Sequence, residues 1–169
     1  ARFLPGRSLL ANVVDVDEGA MRVSLTRENG AFFLFDFKSA FPSVSHQFIF
    51  AVLRHLGIPS TIMRFLQALY NANECISSTG GAIFDGFAMT SGIRQGCPLS
   101  PLLFVTVAEL LTRSLNRSIS DSMPLAYADD TALLVTDFYR DLPLVQSIFC
   151  RFARVSNLVL ILPKTVIIP

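Results

Sequence analysis

With 169 residues, 51% of them hydrophobic and 15 of them Phe, the chain is long enough to bury the core of one domain. Asn, Arg, Asp, Glu, Lys or Pro breaks every apolar run well before the ~18 residues a bilayer span needs, which excludes a membrane-spanning helix. A net charge of +1 is no electrostatic signature for nucleic acid, so a polyanionic partner would need local basic clusters or basic surface from other parts of the protein.

The first residues, Ala1 to Arg7, lack the apolar stretch of a signal peptide. Starting at Ala1 and ending on the apolar Val166-Ile167-Ile168-Pro169, the chain reads as a piece of something longer, its apolar excess covered by neighbours. Cys75, Cys97 and Cys150 are odd in number and scattered, and His46 and His55 stand in no register with them. They read as reduced core residues of an intracellular protein, nuclear or cytoplasmic, with no zinc site.

In chain order, a turn at Pro5-Gly6 leads to a helix from about Ser8 to Glu18, which Gly19 ends, and Arg22 to Gly30 reads as a loop. Ala31-Phe32-Phe33-Leu34-Phe35 is a buried strand running into Asp36. Phe37 to Val44, marked by Ser and Pro, is a tight connection. Phe48, Ile49, Val52, Leu53 and Leu56 then follow the spacing of an amphipathic helix from Ser45 to Leu56, stopped by Gly57 and Pro59. A second helix runs from an N-cap at Ser60 to Asn73. Gly80-Gly81 marks a hairpin between Glu74 and Thr90.

The stretch Thr90 to Pro101 has two glycines bracketing Arg94-Gln95, which lets backbone come close to whatever those side chains touch. Ser100 caps a helix with Pro101 at its first position, ending near Asn116. Leu125 to Val135 reads as two apolar strands joined at Asp129-Asp130, a hairpin with acids at its tip. Asp141 to Val155 is a helix, and Leu158 to Leu162 with Val166 to Ile168 form a last apolar pair. The alternation of helices and hairpins implies an α+β domain, a largely antiparallel sheet with helices packed on one face.

Two adjacent acids in a turn are explained by solvation alone. Asp36 is different, because a carboxylate ending so hydrophobic a strand must find compensation for what burial costs it. A divalent cation shared with Asp129 would supply it if the two strands are neighbours. Two or three carboxylates converging there would hold a pair of Mg²⁺ ions ~3.5–4 Å apart, with Mn²⁺ as an alternative ion.

Three ordered stretches carry a resemblance: Phe35-Asp36-Phe37-Lys38-Ser39-Ala40-Phe41, then Ser91-Gly92-Ile93-Arg94-Gln95-Gly96-Cys97-Pro98-Leu99-Ser100-Pro101, then Ala126-Tyr127-Ala128-Asp129-Asp130. They resemble successive motifs of the reverse transcriptase palm, most closely in retrotransposons that lack long terminal repeats and next in group II introns. Phe3-Leu4-Pro5-Gly6-Arg7-Ser8 also resembles what those enzymes carry before the first catalytic Asp. The resemblance implies a polymerase palm-like fold, with residues 1–30 a partial fingers segment and 31–169 the palm. A fingers-like helical insertion would span about 45–73, and the N-terminal fingers and the thumb would be missing.

By the same resemblance, Asp36 and Asp129 are the metal ligands and Asp130 a supporting acid. The backbone amides of Phe37, Lys38, Ser39, Ala40 and Phe41 would face the triphosphate, an anion site. Phe41 matches the aromatic that excludes a 2′-hydroxyl, Gln95 and Gly96 would border the nascent base pair and template, and Arg7 would contact nucleotide or template. Lys164 stands where the family places a triphosphate-side lysine. The implied partners are RNA template, DNA or RNA primer, deoxynucleoside triphosphates, and the fingers and thumb of the same polyprotein, with no membrane. The chain departs from the pattern at Pro42, where many relatives carry an acid, and at Asn157, where they carry glycine. It also has Val159 and Ile161 where polar residues are usual. Rival readings are a retroelement relic or co-opted domain that binds RNA or protein without chemistry, and an unrelated Mg²⁺-dependent phosphohydrolase, which would leave the Gln95 loop unexplained.

Overall fold

The Phe-rich run Ala31–Phe35, β1, lies inside a four-stranded antiparallel sheet, with a neighbour on each edge. A computed structural model of the chain describes residues 9–71, 73–127 and 130–169. Before β1 comes α1 (Leu9–Thr26), and after it α2 (Ala40–Ser43), α3 (His46–His55) and α4 (Ser60–Tyr70). A hairpin of β2 (Glu74–Thr79) and β3 (Ala82–Ala88) follows, then α5 (Ser100–Ser118), β4 (Met123–Tyr127), β5 (Asp130–Val135), α6 (Phe138–Ser156) and β6 (Val166–Ile168). The main sheet has the order β4-β5-β1-β6.

Register decides which side chains share a face, because successive strand residues point to opposite sides. Phe33 pairs with Leu133 and Ala31 with Val135, and all four are buried. The face they form is closed by α5 and α6. The Phe33 ring stacks on Phe35 at 5.5 Å and on Phe138 at 5.9 Å, and Phe35 lies 4.4 Å from Phe149. Each fully buried Phe is worth roughly 1.5–3 kcal/mol, so this aromatic stack is the chief cohesion between sheet and α6.

Two sequence expectations are corrected here. Helix α1 does not stop at Gly19 but continues to Thr26, through most of the expected loop. A Cβ at Gly19 would collide with the Met123 side chain and touch Leu134, both on the sheet face opposite α5 and α6. Glycine thus lets α1 lie close against that second face, and the packing outweighs its helix cost of ~1 kcal/mol. Leu158 to Leu162 and Val166 to Ile168 do not pair with each other. Leu160 makes a single bridge to Phe37, a 3₁₀ turn spans Leu162–Lys164, and β6 pairs with β1 from Phe32↔Ile168 to Leu34↔Val166. The open edge of β1 supplies backbone partners that a hairpin of those two short runs could not supply as well.

Elsewhere the caps shift. Ser45 caps α3 by accepting from the Phe48 amide, whereas Ser60 and Ser100 lie inside their helices, which Pro59 and Leu99 precede as caps. The hairpin β2–β3 forms a separate two-stranded sheet in which every residue is exposed. Cys75 on it and Cys150 on the outer side of α6 are exposed, and Cys97 is half-buried, so none of the cysteines is a core residue. No described helix is long and apolar enough to cross a membrane.

Candidate active site

Asp36 follows β1 directly. The β1–β5 ladder ends at Phe35↔Thr131, so Asp36 and Asp130, the first residue of β5, are the residues that adjoin that last pair on the two chain segments. By strand alternation both side chains belong to the sheet face opposite α5 and α6. The Asp36 carbonyl accepts from the Ile161 amide at 2.8 Å, and its carboxylate lies 3.1 Å from the Lys164 ammonium. The segment 160–165 is therefore hung on Asp36 by backbone and side chain together. Among the described residues no three His, Cys, Asp or Glu side chains gather as a metal cage. Asp129, the third carboxylate of the expected set, lies outside the described residues, as does Arg7. The donors that are described suit a hard divalent cation: they are carboxylate oxygens, and the Lys164 ammonium already stands as a positive charge on one of them.

The connection after Asp36 is shaped by αL backbone at Ser39 (φ 48°, ψ 56°), which turns the chain into the short helix α2. The Lys38 amide donates to the Val159 carbonyl at 2.8 Å, so it is not free to face a triphosphate. This corrects the run of amides expected from Phe37 to Phe41. Phe37 itself buries its side chain near Phe149, and Ser39, Ala40 and Phe41 remain as amides at a helix start, where no helical carbonyl precedes them.

The stretch that carries Gln95 is zipped to this connection. Ile93 donates to the Phe41 carbonyl at 2.7 Å and Gly92 to the Val44 carbonyl at 2.8 Å. Gly92 has φ 99°, and a Cβ there would sit 2.8 Å from the Pro42 carbonyl oxygen. The close approach that this glycine permits is to the protein's own backbone rather than to a ligand. Just beyond, Phe41, Gln95, Gly96, Cys97, Ser100 and Pro101 line a cleft of about 420 Å³. The structure thus brings together Phe41, Gln95 and Gly96, while the Phe41 ring stacks on Phe104 at 4.4 Å.

Four polar residues not singled out in the sequence for the Gln95 loop lie against it, and three of them hold it by hydrogen bonds. His46 Nε2 donates to the Gly92 carbonyl at 2.8 Å, and the Ser100 hydroxyl donates to the Arg94 carbonyl. The Arg94 guanidinium donates to Asn73 Oδ1, while Asn73 Nδ2 donates to the Leu69 carbonyl at 2.9 Å. The fourth, Tyr70, is buried beside the same loop, and burial pushes its phenol pKa up. The sequence signal for them was only that polar groups sit near helix ends facing a Gly-rich loop. Asn157 occupies the expected glycine position with φ 63°, and Asn is the side chain that tolerates this left-handed cap best after glycine.

A family model described as reverse transcriptase (RNA-dependent DNA polymerase) matches residues 1–169. The chain belongs to the reverse transcriptase family. Similar curated proteins include the Transposon TX1 uncharacterized 149 kDa protein of Xenopus laevis, 30% identical over 146 residues. They also include the Pol polyproteins of the R2 retrotransposable elements of Drosophila melanogaster, 33% over 104 residues, and Popillia japonica, 31% over 133 residues. These matches cover 79%, 58% and 74% of this chain but only 11%, 10% and 22% of those proteins. They place this reverse transcriptase domain with the type that lacks long terminal repeats. Among solved structures, telomerase from Candida tropicalis in complex with a fragment of telomeric RNA superposes with TM-score 0.75 at 11% identity, over 96% of this chain and 29% of that one. The apo telomerase of the same organism, truncated from its C-terminal domain, gives 0.72 at 15%, over 96% and 35%. The likeness to telomerase establishes the polymerase palm-like fold of this reverse transcriptase domain. Reverse transcriptases generally use divalent metal ions.

Proposed function

We propose that this chain is the palm of a retrotransposon polymerase that copies RNA into DNA, adding deoxynucleotides from their triphosphates to a primer 3′-hydroxyl. The observation that carries the reading is the register that ends the β1–β5 ladder at Phe35↔Thr131, with Asp36 and Asp130 adjoining that pair and the Phe41–Gln95 cleft following the same strand. In this reading Asp36 and Asp129 hold two Mg²⁺ ions, or Mn²⁺, with Asp130 beside them. Metal bound there supplies activation of the attacking hydroxyl and charge stabilisation of the leaving pyrophosphate.

The chain's own residues do the positioning. The amides of Ser39, Ala40 and Phe41 and the Lys164 ammonium receive the triphosphate, the Phe41 ring fills the space of a 2′-hydroxyl, and Gln95 with Gly96 borders the base pair. Arg7 adds a basic contact to nucleotide or template. Residues 1–30 belong to the fingers, 31–169 to the palm with α3 and α4 as its helical insertion, and the remaining fingers and thumb come from the same polyprotein. Primer extension on an RNA template by the full-length gene product tests the proposal. Mg²⁺-dependent synthesis that Asp36→Asn or Asp129→Asn abolishes supports it, and full synthesis by either variant overturns it.

A further inference from the structure

The phenol of Tyr70 is the buried side-chain group that lacks a hydrogen-bond partner among the described residues. Only 5% of the residue is exposed, and an unsatisfied hydroxyl at such depth is costly, on the scale of a lost hydrogen bond. Its surroundings are specific. The ring meets the edge of His46 at 4.9 Å, and the polar groups beside the hydroxyl are the Arg94 backbone and the Ser100 side chain. Ser100 meanwhile gives its proton to the Arg94 carbonyl, and its oxygen can still accept one. Arg94 is the residue immediately before Gln95, and Ser100 lines the same cleft as Gln95 and Phe41.

We propose that Tyr70 is a positioning residue for the turn that bears Gln95 and Gly96. When template and nucleotide enter the cleft, the Tyr70 hydroxyl donates to Ser100 Oγ, which continues to donate to the Arg94 carbonyl, and this relay locks the turn against the base pair. The inference rests on the reading of that cleft as the place of the nascent base pair. The arrangement has a physical logic: the turn is anchored at Gly92 by His46 and at Asn73 through the Arg94 side chain, while its centre, at Gly96, has open space around it. A donor held unspent beneath the turn favours whichever position of Ser100 accepts it, so the ordered turn is stabilised by a bond that the free chain does not make.

Tyr70→Phe removes that donor and leaves the ring packing. In the full-length gene product, the free variant should melt no lower than wild type, since no bond is lost. Its KM for deoxynucleotide should rise by about two- to tenfold, the worth of one neutral hydrogen bond, with kcat little changed. Ser100→Ala, which also loses the bond to the Arg94 carbonyl, should show at least that rise, and adding Tyr70→Phe to it should raise KM no further, because the phenol acts only through Ser100. Amide hydrogen exchange over residues 92–99 supplies a readout apart from activity, with primer, RNA template and a non-hydrolysable deoxynucleotide analogue as the probe. The wild-type turn should gain protection on binding and Tyr70→Phe should gain less. If wild type is protected and Tyr70→Phe equally so, the relay is overturned while the cleft reading stands. If substrates leave the wild-type turn unchanged, the cleft reading falls and the relay with it. A lowered melting temperature in Tyr70→Phe without a change in KM would make the phenol a structural group and overturn the proposal.

Discussion

The Lys164 ammonium sits 3.1 Å from the Asp36 carboxylate, so the acid that ends the central strand already holds a cation. The Lys164 side chain is open to solvent and Asp36 is partly so, and such a pair contributes about 0–1 kcal/mol. Asp36→Asn and Lys164→Met should therefore each shift thermal unfolding only slightly. In primer extension they should separate: Asp36→Asn abolishes synthesis, whereas Lys164→Met keeps it with a raised KM for nucleotide. Asp130→Asn should be milder than Asp36→Asn.

Phe41 both lines the cleft and stacks on Phe104, so its truncation should show two effects at once. Phe41→Val is expected to raise ribonucleotide incorporation relative to deoxyribonucleotide by about tenfold or more. It should also lower stability by ~1–3 kcal/mol, less than a fully buried Phe would cost. Competition between the two nucleotides on one template, with a parallel denaturation curve, measures both. An unchanged sugar preference with lowered stability would assign Phe41 to the core alone.

Gly92 and Gly96 both have positive φ, 99° and 85°, but only Gly92 faces backbone at contact distance. Gly96→Ala should cost ~1 kcal/mol, the strain of a left-handed residue. Gly92→Ala should cost more and separate the turn from α2, because the added methyl meets the Pro42 carbonyl. Chemical denaturation of the two variants side by side yields the difference.

Asp141 is 1% exposed and accepts two side-chain hydrogen bonds from Arg140, whose Nε and Nη2 approach at 2.7 and 2.9 Å. The guanidinium pKa is raised by that carboxylate. Arg140→Ala should lower stability, because it takes the hydrogen-bonded cation from the buried Asp141 carboxylate rather than because the pair itself is strongly stabilising. A urea titration would show the loss as a lowered midpoint at unchanged slope.

The β2–β3 hairpin exposes Ile83 at 77% and Phe87 at 68%, and a two-stranded hairpin is marginal in water by itself. Amides 74–88 should exchange faster than those of β1 and β5. Residues 1–169 alone should self-associate and bind nucleic acid weakly, since a net charge of +1 neutralises few phosphates. Ile83→Ser with Phe87→Ser should reduce association, as light scattering would show. A monodisperse, tightly RNA-binding preparation would contradict this and favour a co-opted binding module.

Much of the site was legible because it is local chemistry. The run Ala31–Phe35 is a strand by composition, Asp36 ends it by position, and Gly80-Gly81 makes a hairpin wherever the chain goes next. The ordered motifs around Asp36, Gln95 and Asp129 were equally readable, since each is a contiguous stretch. What escaped was everything settled between elements. Gly19 reads as a stop until β4 and β5 are laid beneath it, Lys38 looks like a free amide until Val159 takes it, and Ser100 looks like a cap until Arg94 claims its hydroxyl.

By itself the sequence determined the kinds of element, their order and the family, because periodicity, turn residues and motif spacing are properties of neighbouring residues. Only the tertiary structure decided that Phe35 pairs with Thr131 so that Asp36 and Asp130 adjoin the same rung, that β6 pairs with β1, and that Tyr70 is buried beside the Gln95 turn. Those relationships depend on strand register and on which buried backbone and polar groups find partners. Such choices are made by competition among distant segments for the same few donors, acceptors and apolar faces.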